Sequence, residues 1–170
     1  FLVNVLAFVF MTIHLFAPND KNAYPMVESQ VSEMLFIHIG ISIVSYGAFT
    51  LAFVFSVLYL ILYNILKKKK FSPLWSRLPN LKQTTSYMNN STIVGIPLLV
   101  VALVLGIEWA LITLDGISVF DIKIIGSFVI LGVYLSLLLL NRSGKLIGTT
   151  YAWFHVYAFL LVVVNFFLGN

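Results

Sequence analysis

Apolar residues in this chain come in long unbroken runs, and five of them stand out: residues 1–16, 34–66, 92–114, 124–140 and 151–168. The stretch LAFVFSVLYLILYNIL, from Leu51 to Leu66, is apolar on every face. A closed barrel would alternate apolar and polar residues over short strands, so helices are the way these backbone groups find their hydrogen bonds inside a membrane. Each run reaches or approaches the roughly 20 residues that cross about 30 Å of hydrocarbon. The pattern predicts an all-α, polytopic transmembrane bundle of five spans, a single domain over residues 1–170 with no soluble part. The first run begins inside its own apolar stretch at Phe1, with no basic region ahead of it, so residues upstream are expected and no signal peptide is read.

The breaks between runs are informative. From Met34 to Leu66 the second run would make about 50 Å of helix, so it must tilt or protrude. FSPLWSRLPNL then interrupts regular structure with Pro73 and Pro79. LKQTTSYMNNST, residues 81–92, is polar enough to form a short interfacial helix before the third span. Pro97 falls early in that span, where a kink costs least.

Composition confirms the membrane class, and charge adds an orientation. The chain of 170 residues is 61% hydrophobic and 9% charged, with a mean hydropathy of +1.03, more apolar surface than one soluble core could hide. Of its 10 Lys and Arg residues, Lys67 to Lys70, Arg77, Lys82, Arg142 and Lys145 all fall in the segments 67–91 and 141–150. The alternate loops carry Asp20, Glu28, Glu33, Asp115 and Asp121 against only Lys21 and Lys123. The positive-inside rule therefore predicts that loops 67–91 and 141–150 are cytoplasmic. The KKKK run reads as a topology anchor that can also hold anionic membrane lipid, and no nucleic acid is expected as a partner. With no cysteine, this stretch has no disulfide, no thiolate metal site and no covalent thioether to haem.

Few residues in the runs carry chemistry. His38, Ser42, Ser45, Tyr46 and Phe49 share one side of a helix by their spacing. A polar stripe in a span faces protein. It serves either to hydrogen-bond a neighbouring helix, with His38 satisfied by a carbonyl, or to offer the His38 ring nitrogen to haem iron among packed aromatics. Glu108, followed by Trp109, is the one acid inside a run; it is either a functional intramembrane carboxyl or an interfacial residue beside the tryptophan. His14 is a second ligand or an interface residue, and His155, at the opposite side of the membrane from His38, cannot share its iron. Paired catalytic carboxylates, zinc-type spacings and a serine elbow are all missing, so no enzyme chemistry is read. A transporter would need broken helices or several midplane charges.

LFIHIGISIVSYGAFTLAFVFSVLYLILYNILKKK resembles the signature helix of the cytochrome c assembly membrane family. LFAPND, SRLPNLKQTTSYMNNSTIVGIPLLVVALVLGIEWA, FDIKIIGSFVILGVYL and GTTYAWFHVYAFLLVVVNFF resemble, in order, further parts of it. In synthase members an external histidine at the position of His38 is an axial haem ligand, and a tryptophan-rich loop covers the haem. The resemblance implies haem b as a transient cofactor, with His38 as the candidate axial ligand to its iron and His14, Tyr46, Glu108 and Trp109 as weaker candidates. The chain departs from the synthases in LDGISVFDIK, which has Phe120 and no tryptophan but keeps Asp121 and Lys123. Near Asn141 a histidine of the family looks replaced, and a second external histidine would lie beyond Asn170. These departures match the branch that accompanies haem biosynthesis genes in Gram-positive bacteria, and the resemblance implies a multi-pass protein of the bacterial cytoplasmic membrane. That branch implies control of glutamyl-tRNA reductase, with this enzyme or other haem-biosynthesis and cytochrome c assembly proteins as partners. The alternative is a membrane scaffold that binds no haem and recruits a soluble partner through the basic loop 67–91.

Overall fold

A computed structural model of the chain describes residues 24–68, 79–113 and 122–168. Within them are four helices: α1 (Tyr24–Lys67), α2 (Leu81–Thr113), α3 (Ile122–Arg142) and α4 (Gly148–Leu168). All four are long and apolar enough to cross a membrane. The chain is a multi-pass membrane protein. The span expected over 1–16 lies outside the described residues, so the helices described number four where the sequence predicted five.

Two boundaries differ from the sequence reading. Helix α1 starts at Tyr24, ten residues before the apolar run, because Pro25 is tolerated in a first turn and no breaker follows before the span. At 44 residues it is about 66 Å long, well over twice the hydrocarbon thickness. Residues 81–92 form no separate interfacial helix; they are the first turns of α2, which continues unbroken through Pro97. Asn80 and Gln83 begin it with a reciprocal capping box: Gln83 N–H donates to Asn80 Oδ1 at 2.8 Å, and Asn80 N–H donates to Gln83 Oε1 at 3.1 Å. The threonines then satisfy themselves, Thr84 and Thr85 donating to the carbonyls of Asn80 and Leu81. Thr84, Met88 and Thr92, one turn apart, are fully buried, so one face of this polar-looking stretch packs into the bundle while the other stays exposed.

Helix α1 packs against α2 and α4, and α3 packs against the same two, leaving α1 and α3 at opposite corners. The centre is filled across the diagonals. Phe49 of α1 stacks on Tyr134 of α3 with ring centroids 4.0 Å apart, and Thr92 of α2 meets His155 of α4. Around them Tyr59, Leu99, Ile130, Leu137, Tyr151 and Val162 complete the core. Large side chains such as Phe36, Ile43 and Phe167 face outward, where a bilayer is their natural solvent.

At the end where α1 stops at Lys67, three helices are tied by amides and a phenol. Asn141 Nδ2 donates to Asn89 Oδ1 at 3.0 Å, and the Tyr151 hydroxyl donates to the same oxygen. Helix α3 ends in a turn whose Gly144 has φ 71°, a backbone conformation that glycine reaches at little cost.

At Gly95 of α2 a side chain of α1 comes into close contact with the backbone. A Cβ there would lie 2.7 Å from Phe49 Cε1, and the Gly95 carbonyl accepts a bond from Ser45 Oγ at 3.0 Å. Gly95→Ala is therefore expected to destabilise the bundle by about 1–3 kcal/mol through overpacking. Gly132→Ala, where a Cβ meets nothing within 4 Å, is expected to leave stability unchanged or slightly higher. Unfolding of both variants in mixed micelles checks the contrast, and equal effects would show that the α1–α2 contact is not tight.

Candidate functional site: a cleft at the His38 end

Toward the other end of the bundle the helices leave a cleft of about 470 Å³, within the usual range for small-molecule sites, roughly 300–1,000 Å³. His38, Ser42 and Tyr46 line it from α1, Ala102, Gly106 and Trp109 from α2, Lys123 and Ser127 from α3, and Phe166 from α4. Apolar groups make up most of the wall, and the few polar ones come from α1 and α3.

The polar groups on the α1 wall belong to the stripe read in the sequence. Ser45 and Phe49 are fully buried, so that face of α1 does turn into protein. Its members part in role. Ser45 ties α1 to α2, as above, whereas Ser42 Oγ donates to the His38 carbonyl at 2.7 Å within its own helix. His38 Nδ1 lies 2.7 Å from the Ala102 carbonyl oxygen. A carbonyl can only accept, so Nδ1 carries the proton of this bond. Nε2 has no hydrogen-bond partner among the described residues, and in that tautomer its lone pair is the one left for a ligand of the cleft.

His155 makes an instructive contrast. Its ring is fully buried, with Nε2 3.1 Å from Thr92 Oγ1 and Nδ1 3.2 Å from the Tyr151 carbonyl. The Tyr151 and Tyr134 rings stand edge-on to it at 4.4 and 5.9 Å. Both nitrogens are occupied by protein. From Thr92, beside His155, to Ala102, beside His38, is about 15 Å along α2, so the two imidazoles serve different places.

Of the weaker candidates, Tyr46 and Trp109 line the cleft and Glu108 does not. The Glu108 Oε2 atom is buried without a hydrogen-bond partner. His14 and Asp121 lie outside the described residues. Asn141, where the sequence suggested a lost histidine, is the amide that clasps Asn89 at the far end. Sequence reasoning missed Ala102, Gly106 and Phe166. The first two carry a readable signal, since Ala102 and Gly106 form the small-xxx-small spacing that lets membrane helices approach closely.

Among the described residues no three His, Asp or Glu side chains converge as ligands for a free metal ion. Haem sets a smaller demand: it brings its own equatorial nitrogens and needs from the protein an axial donor and an apolar slot. A histidine with one nitrogen fixed on a carbonyl and the other available is the usual form of a protein ligand to iron. The donor set and the walls of this cleft fit that group.

Fold and site together define a polytopic helical membrane protein with, among the described residues, one imidazole bordering a mostly apolar cleft. The sequence pattern of the family described as Cytochrome C assembly protein matches residues 1–170, and the chain belongs to that family. It is 38% identical to Protein HemX of Bacillus subtilis (strain 168) over 168 residues, covering 99% of this chain and 61% of that protein. It is 34% identical to Protein HemX of Brevibacillus brevis over 166 residues, covering 98% of this chain and 61% of that protein. The chain thus spans about three-fifths of the length of these curated relatives. No solved structure matches it.

Proposed function

We propose that this chain is the haem-handling part of a HemX-like membrane protein, which holds haem b transiently in the His38 cleft. The observation that carries this reading is the bond from His38 Nδ1 to the Ala102 carbonyl, 2.7 Å long, which leaves Nε2 as the donor for iron. His38 would supply the axial nitrogen, while Tyr46, Trp109 and Phe166 would pack against the macrocycle. Haem when bound supplies an iron that can cycle between ferrous and ferric states; the protein orients the group and keeps water from it. The segment LDGISVFDIK lacks the tryptophans of the synthases' haem-covering loop, so the reading ends in control of haem supply, including the level of glutamyl-tRNA reductase, instead of thioether formation. Similarity to two HemX proteins over nearly the whole chain supports this branch. The absorption spectrum of the purified full-length protein tests it: a Soret band near one haem per chain is expected, and a protein that takes up none when haem is supplied overturns the reading.

The same proposal places the Lys67 end in the cytoplasm and the cleft near the external surface. Lys67, Lys82, Arg142 and Lys145 gather at helix termini on that end, where basic residues retain loops inside. The absence of cysteine makes single-cysteine labelling direct. In intact cells Ser143→Cys should resist an impermeant thiol reagent and Glu33→Cys should react, both positions being exposed; the reverse pattern would move the cleft to the cytoplasmic side.

A further inference from the structure

The bond that fixes His38 depends on an atom that is not there. In an α-helix each Cβ tilts toward the N-terminus, so the side chain at position i+4 overhangs the carbonyl of residue i. The Ala102 carbonyl would be overhung by the residue at position 106. That residue is glycine, and the imidazole occupies the space: a Cβ built on Gly106 would lie 2.6 Å from His38 Cε1, 3.0 Å from Nδ1 and 3.3 Å from Nε2. A real Cβ is essentially never found as close as the first of these, and the other two are tighter than most Cβ contacts. The ring lies over Gly106 as it reaches the carbonyl one turn earlier.

We propose that Gly106 is a positioning residue: by leaving the Ala102 carbonyl open from the side, it holds His38 in the Nδ1–H tautomer with Nε2 reserved for the ligand of the cleft. The inference deepens the haem reading and rests on it for the identity of that ligand, but the tautomer is set by the protein alone. A carbonyl that already accepts its helical bond has a second lone pair, and using it costs α2 nothing. Any side chain at 106 forces the ring away, and a displaced imidazole is free to exchange tautomers and to offer either nitrogen. Outer partners of this kind typically contribute 10- to 100-fold to metal affinity.

The test begins with haem-free wild-type protein in nanodiscs, with 15N-labelled imidazoles, the His38 signals being identified by their loss in His38→Ala. A protonated, hydrogen-bonded Nδ1 and an unprotonated Nε2 are expected; an Nε2–H tautomer overturns the proposal. Gly106→Ala should then lose the bonded Nδ1–H signal and hold haem roughly 10- to 100-fold more weakly, while Gly132→Ala, facing open space, should change neither. In a His38→Ala background supplied with imidazole, Gly106→Ala should cause little further loss, because the two residues act through one bond. An unaltered His38 signal in Gly106→Ala, or an equal loss of haem with and without His38, sinks the assignment. Should Gly106→Ala fail to assemble, the haem-free wild-type spectrum decides alone. Wild-type protein that shows the Nδ1–H tautomer yet takes up no haem would remove the haem reading and leave the positioning role standing.

Discussion

His38→Ala is expected to weaken haem retention by more than about 100-fold, beyond the 10- to 100-fold typical of losing an outer partner of a metal ligand. The side chain removed is the axial donor itself. Among the described residues lining the cleft no methionine, cysteine or second histidine stands in for it, and the Ser42 and Ser127 hydroxyls already donate to carbonyls of their own helices. Added imidazole should restore part of the original spectrum by entering the vacated space, which borders the cleft. Absorption titration of the wild type, the variant and the variant with imidazole gives the comparison. Retention of haem with an unchanged spectrum would make His38 a tie between α1 and α2, and nothing more.

His155→Ala should give the opposite result: little change in haem and a large change in stability. Its ring is buried at the centre of the Lys67 half of the bundle, bonded to Thr92 and to the Tyr151 carbonyl. Truncation empties a site walled by Tyr134, Tyr151 and Thr92, and costs of about 2–4 kcal/mol are usual for a large buried side chain. The interhelical bond itself contributes only about 0.6 kcal/mol, the average for membrane proteins, so packing dominates. Denaturation in mixed micelles measures the loss. A loss below about 1 kcal/mol, or a shifted haem spectrum, would contradict the division of labour between the two histidines.

That division is visible only in three dimensions. In sequence, His38 and His155 are both single imidazoles inside apolar runs, each about one turn from a polar boundary. Packing distinguishes them: Thr92 and Tyr151 use both nitrogens of His155, whereas Ala102 uses one nitrogen of His38 and the cleft borders the ring. Similarly, Trp109 and Glu108 are neighbours in sequence, yet a helix turns successive side chains by about 100°, so only the tryptophan lines the cleft.

The helices, their membrane setting and the inward stripe of α1 followed from sequence alone, because a span must satisfy its backbone internally and must be apolar for about 20 residues, and those demands act locally. Family membership was legible too, in the order of loosely matching segments. Helix ends were less so: the capping box at Asn80 and the buried face of Thr84, Met88 and Thr92 turn a polar stretch into the start of α2, which depends on what packs beside it. The tertiary structure alone decided the site. Which carbonyl His38 reaches, why Gly106 must have no side chain, and which aromatics wall the cleft all depend on α1 lying against α2, a contact between residues 64 positions apart that no local pattern encodes.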